Sequence, residues 1–221
     1  MTDVSAHAPL AGSGVGAVSG DHVARQAPPA ADPAMLALPI FIIASVGLGF
    51  SLVGWYPAAA GGALVPLAVV TALFLTVACI WSSSLGRSYD AGVQGVFSAF
   101  WWGYAVWTLG ALHGWFGVPA TAIGQATQLF LFSFLVVAAL LTLASMRGPL
   151  VFTTFIVFIT VAVTLILLNT IAPSTGLSDL AGAAVLVFCA IGAYIYIGAA
   201  SVVMGGPSLP HGAPLLGPHR R

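Results

Sequence analysis

The sequence predicts an all-α polytopic membrane protein, a six-transmembrane-helix bundle. Three observations carry that expectation. Of 221 residues, 60% are hydrophobic and only 5% are charged, whereas a soluble domain carries about 25% charged residues to cover its surface. Six apolar runs reach the roughly 20 residues that a helix needs to cross the hydrocarbon core. The arginines fall on alternate connections between those runs, which is the pattern an even number of spans produces.

The runs are Ala34 to Trp55, Ala63 to Ser82, Gly92 to His113, Gln125 to Ala144, Leu150 to Ile171, and Leu180 to Val203. Each is too long and too uniformly apolar for an alternating barrel strand, so helices are expected. Turn-forming stretches separate them: YPAAAGG, SSSLGRSYD, WFGVPATAIG, SMRGP and APSTGLSD. Residues 1–31 are rich in Ala, Gly, Pro and Ser without apolar periodicity, and read as a disordered N-terminal tail that lacks the basic start of a secretory signal. Residues 32–204 form the membrane domain. Residues 205–221, rich in Gly, Pro and His, read as a second disordered tail.

The first run opens on Asp32-Pro33. A carboxylate can cap free backbone amides and proline suits the first helical position. Pro39 then stands inside the run, where it frees the carbonyl of Met35 and introduces a kink. Two readings stand: backbone exposed below Phe41 to form a vestibule, or a proline tolerated in the early turns of a helix.

The charges set topology and exclude functions. There is no lysine, and Arg25, Arg87, Arg147, Arg220 and Arg221 lie on the tails and on the second and fourth loops. The positive-inside rule then makes both termini cytoplasmic. Asp3, Asp21, Asp32, Asp90 and Asp179 sit in tails, loops or span ends, and there is no Glu. Intramembrane proteolysis, acidic proton relays and voltage sensing need charged groups at membrane depth, and none is present. The chain reads as no enzyme and as having no cofactor or metal. A net charge of zero without a Lys/Arg cluster gives no sign of a nucleic-acid partner. Cys79 and Cys189, both within apolar runs, read as small buried hydrophobes.

The fifth span spaces Thr153, Thr160 and Thr164 seven and four residues apart, on one helical face, with Asn169 near its outer end. Such hydroxyls either line a path or bond back to their own helix. Trp101, Trp102, Trp107 and Trp115 suit an interfacial belt or internal packing.

Asp32-Pro33-Ala34-Met35-Leu36-Ala37-Leu38 resembles the NPAPLGL signature of the acetate uptake transporter family, which comprises bacterial succinate–acetate permeases and yeast ammonia/acetate exporters. The likeness extends through Gly86-Arg87-Ser88-Tyr89, at the family's Gly-Asn-Thr-Phe, and without a gap to Val96-Phe97-Ser98-Ala99-Phe100-Trp101, at its Ser-Tyr-Gly-Ser/Ala-Phe-Trp. Met146-Arg147-Gly148, Ala181-Gly182 and Tyr194 match further positions, so the resemblance covers about Ala31 to Met204. Departures fall at Gly49, Leu75, Cys79, Ser82 and Ala199, where the family carries Asn, Gln, Gly, Glu and Glu. The chain is identified as a divergent member.

The resemblance implies a narrow path in each protomer, closed by hydrophobic side chains of the first, third and fifth spans. By position these are Phe41, Phe97 and Ile159, with Phe158 replacing Ile159 if the fifth span slips by one; packing in the bundle core is the alternative for all. Gly192 falls where the family has an alanine associated with substrate size, and close helix packing is its other reading. A homohexamer in the cell's inner or plasma membrane, lying in a lipid bilayer and passing a small carboxylate, is the implied assembly. A dry constriction opposes an ionised carboxylate far more than the neutral acid, so acetate-like monocarboxylates are expected to pass as the protonated acid or as anion with proton. A membrane scaffold without transport, and a conduit for ammonium or urea, are the alternatives.

Overall fold

Few charges, long apolar runs and short turns leave the chain one way to satisfy its backbone in lipid, which is helix upon helix. The computed structural model describes residues 31–56 and 62–217. Residues 1–30, most of the first tail with Arg25, and 218–221 with Arg220 and Arg221 lie outside them.

Among the described residues six helices follow in order: α1 (Ala34–Leu52), α2 (Leu64–Ser84), α3 (Ser88–His113), α4 (Ile123–Ser145), α5 (Leu150–Ile171) and α6 (Thr175–Val203). A 3-10 turn, Ala120–Ala122, leads into α4. By length and composition α1, α2, α4, α5 and α6 are each apolar enough to cross a membrane. The third helix is long enough, but Ser88, Asp90, Gln94 and Ser98 make its first half more polar. Helices α3 and α6 both start earlier than their apolar runs, at Ser88 and Thr175, because their first turns are polar. At α6 the Ser174 hydroxyl accepts from the Leu177 amide at 3.1 Å and caps the helix. Between α2 and α3 the chain reverses over Leu85, Gly86 and Arg87, with Gly86 at φ +71°, a left-handed conformation that glycine adopts without a Cβ clash.

Each helix packs on the next in sequence and α6 closes on α1, so the six make a ring. The α1–α6 seam is tight: a Cβ on Gly182 would lie 2.8 Å from the Gly49 carbonyl oxygen and 2.6 Å from Val53 Cγ1. The α3–α4 seam is wide and filled by aromatic rings, Phe100 against Phe134 at 5.3 Å and against Phe130 at 5.9 Å. Side-chain hydroxyls join neighbours elsewhere. Ser98 donates to the Ala72 carbonyl across α2–α3 at 2.9 Å, and Thr71 to the Ile40 carbonyl across α1–α2 at 3.0 Å.

Cross-contacts fix which ends lie together. The Asp32–Arg87 ion pair joins the starts of α1 and α3. Residues 205–217 fold back over the same end: the Val151 amide donates to the His211 carbonyl at 3.0 Å, the Leu216 amide to the Met146 carbonyl at 2.9 Å, and the Tyr194 hydroxyl to the Pro210 carbonyl at 2.8 Å. That stretch, expected as part of a disordered tail, is held by backbone groups left free at the first turn of α5 and the last of α4. At the opposite end Ser178 donates to the Leu52 carbonyl and Gln128 to the Thr170 carbonyl.

Candidate functional site: two cavities and an aromatic partition

Two cavities lie along the middle of the ring. The larger, about 380 Å³, opens at the end that carries Arg87 and reaches inward to Phe41 and Phe97. The smaller, about 40 Å³, lies beyond those two rings, toward Leu48, Ile166 and Val185. Phe41 and Phe97 wall both cavities. Their ring centroids are 5.0 Å apart, and both side chains are buried. Phe155 and Phe188 complete the cluster, each 5.7 Å from Phe41 and 6.1 Å from one another. Four helices therefore contribute one phenylalanine each to a single partition. Ile159 is buried and lines the smaller cavity, one turn beyond Phe155, whereas Phe158 packs against the core outside both cavities.

The smaller cavity is almost purely apolar. Its hydroxyl, Ser45, is spent on the Phe41 carbonyl at 2.7 Å. Trp101 lines this cavity, is almost fully buried, and its indole N–H has no acceptor among the described residues. An unpaired buried donor costs roughly 1–3 kcal/mol.

The larger cavity, or vestibule, is polar at its mouth. Asp32 accepts from the Ala34 amide at 3.0 Å and from Arg87. Arg87 also donates to Asp90 at 2.7 Å. Burial pulls the Arg87 guanidinium down, but hydrogen bonds and charge from Asp32 and Asp90 outweigh it and hold its pKa above the usual range. The arginine stays cationic and carries both carboxylates. Asp32 and Arg87 stand at two positions where the family pattern has asparagine, and here they pair with each other. Deeper in, Gln94 accepts from Ser82 at 2.8 Å, which leaves its amide N–H2 without a partner among the described residues. His211, from the returning segment, forms part of the wall.

Several expected positions lie elsewhere. None of Thr153, Thr160, Thr164 and Asn169 lines either cavity. Thr153 donates to the Ser145 carbonyl at 2.6 Å, Thr160 meets Thr142 at 2.8 Å, and Thr164 donates to the Thr160 carbonyl. Asn169 accepts from the Ser174 amide at the α5–α6 turn. Their shared face turns toward α4, where hydroxyls join helices more readily than they greet a solute. Pro39 lies within α1, and neither it nor Met35 borders the vestibule; Ala34, Ala37, Leu38 and Phe41 form that wall. Gly192 borders neither cavity, yet a Cβ there would press on Phe155 at 3.1 Å. Sequence reasoning missed Phe155, Phe188, Gln94 and His211. For the first two a signal existed, since Phe155 precedes Ile159, and Phe188 precedes Gly192, by one helical turn.

A ring of six helices with stacked cavities on its axis defines a polytopic membrane protein of channel or transporter architecture. The chain belongs to the GPR1/FUN34/yaaH family, the acetate uptake transporter family, which it matches over residues 16–208. Among solved structures it is similar to that of the bacterial acetate channel SatP, with a TM-score of 0.73 and 20% identity, covering 82% of this chain and 99% of that one. No curated protein sequence matches it.

Proposed function

We propose that the chain passes small acetate-like monocarboxylic acids through the ring, as the neutral acid or as anion together with a proton. The observation that carries this reading is the shared wall of Phe41 and Phe97 between a vestibule with a polar mouth and an apolar cavity. Such a wall disfavours an ion, whose desolvation costs several kcal/mol, and spares a neutral acid. Gln94 offers an unpaired amide donor before the wall and Trp101 an unpaired indole donor beyond it. Both suit a carboxyl oxygen. Family membership and the likeness to an acetate channel support the same substrate class.

In this reading Phe41, Phe97 and Ile159 form the gate with Phe155 and Phe188. Gly192 acts on it through Phe155. Arg87 and Arg147 mark the cytoplasmic end, which puts both termini in the cytoplasm of a cell whose inner or plasma membrane holds the protein. The exposed apolar residues of α4, among them Leu129, Phe132, Val136 and Leu140, suit either lipid or neighbouring copies in a homohexamer.

Reconstitution tests the reading. Purified protein in vesicles with a trapped pH dye should speed acidification by acetic acid beyond protein-free vesicles. Phe97→Ala should raise the rate severalfold and admit larger acids such as lactic acid, because it removes one of the two rings that wall both cavities. No acceleration for acetic, lactic or succinic acid would leave a membrane scaffold as the better account.

A further inference from the structure

The vestibule holds six polar side chains that could meet a solute: Asp32 from α1, Arg87, Tyr89, Asp90 and Gln94 from the start of α3, and His211 from the segment after α6. The other five each make a hydrogen bond, although Gln94, which is not ionisable, keeps its amide N–H2 free among the described residues. Asp32 and Asp90 are both bound to Arg87, Tyr89 donates to the Leu141 carbonyl at 3.3 Å, and Gln94 holds Ser82. The residues that α2 and α5 contribute to this wall are uncharged. Tyr194 of α6 meets the His211 ring edge-on at 6.4 Å, and its hydroxyl is spent on the carbonyl of Pro210, the histidine's neighbour in the chain. The His211 side chain makes no hydrogen bond among the described residues, and its Nε2 is shut off from solvent without a partner. It is the one ionisable group of the vestibule with no structural duty among those residues.

Its placement is built. The His211 carbonyl receives the Val151 amide at 3.0 Å, and Gly212, at φ +73°, turns the chain against Leu150. The ring lies beside Gly198: a Cβ there would stand in ordinary contact with His211 Nε2, at 3.4 Å. The next residue, Ala199, lines the vestibule.

We propose that His211 is the proton-exchanging residue of the vestibule for a carboxylic acid that has crossed the Phe41–Phe97 wall, an inference that rests on the transport reading above. The acid's O–H bond breaks and an N–H bond forms at Nδ1, the ring nitrogen that is not shut off from solvent, which leaves a carboxylate beside an imidazolium. The anion departs through the open mouth, and the proton follows to water or buffer, restoring the neutral ring. In reverse, the imidazolium neutralises an arriving anion before it meets the dry wall.

Equilibrium exchange of labelled acetate tests this, with equal pH on both sides and a fixed concentration of undissociated acid. The protein-dependent rate should then rise with pH, because a ring that already holds a second proton cannot take the acid's. We expect it to rise about threefold or more between about pH 5.5 and about pH 7.5, and His211→Gln to flatten that rise while leaving the slow rate at the acidic end. Truncation after Pro207, which removes the imidazole with its segment, should flatten it too. A faster-than-empty wild type whose pH profile survives in His211→Gln or in the truncated chain overturns this inference alone. A wild type no faster than empty vesicles overturns the transport reading, and this one with it.

Discussion

Asp32 does two jobs at one helix end. It accepts the Ala34 amide at 3.0 Å and the Arg87 guanidinium, so a single carboxylate both caps α1 and ties it to α3. The side chains of the pair are 31% and 38% exposed, which places the ion pair in the weak, solvent-screened class of about 0–1 kcal/mol. The cap adds about 1 kcal/mol. Asp32→Ala should therefore lower stability by about 1–2 kcal/mol, readable as an earlier thermal unfolding midpoint in detergent. Asp32→Asn should recover most of the loss, because the amide oxygen still caps. The cap was legible in the sequence, from Asp-Pro ahead of an apolar run. The partner was not, since Arg87 lies 55 residues away and only the ring brings it near.

At the scale of the helix, the α1–α6 seam is the most sensitive to added volume. Gly182 faces the Gly49 carbonyl and Val53 so closely that a methyl would force two backbones apart. Gly182→Ala should cost about 1–3 kcal/mol. Gly124→Ala, at the start of α4 with nothing within 4 Å of its Cβ, should be neutral or slightly stabilising. If the two variants unfolded together, close approach of α1 and α6 would not limit stability. Helix boundaries came through well from hydropathy because lipid demands a fixed length of apolar chain. The direction in which a polar face points did not. Thr153, Thr160 and Thr164 share a face by simple periodicity, but periodicity carries no reference direction, and here the face meets α4 and the turn before α5.

At the scale of the whole molecule, the proposed transport draws its selectivity from the contrast between the two cavities. In that proposal about 380 Å³ of vestibule has room for a solute with some of its water, whereas about 40 Å³ beyond the partition leaves room for little more than a small apolar body. Transport rates should fall steeply from acetic acid through propionic to butyric acid when compared at equal concentrations of neutral acid. The bare bilayer ranks these acids the other way, since each added CH2 eases transfer into hydrocarbon by about 0.8 kcal/mol. Vesicle acidification across that series decides between a passage through the ring and one around it.

By itself the sequence determined the solvent and the number of membrane helices, and it carried the motifs of the family. Those follow from local chemistry: apolar runs must be helical in lipid, and turns take the residues whose backbones suit them. Only the tertiary structure decided that four phenylalanines from four helices meet at one level, that the threonines bond sideways, and that His211 returns to the vestibule. Each of those depends on the rotation of a helix about its axis or on a chain folding back over an end. Such choices are fixed by packing between distant segments, and one segment read alone holds no record of them.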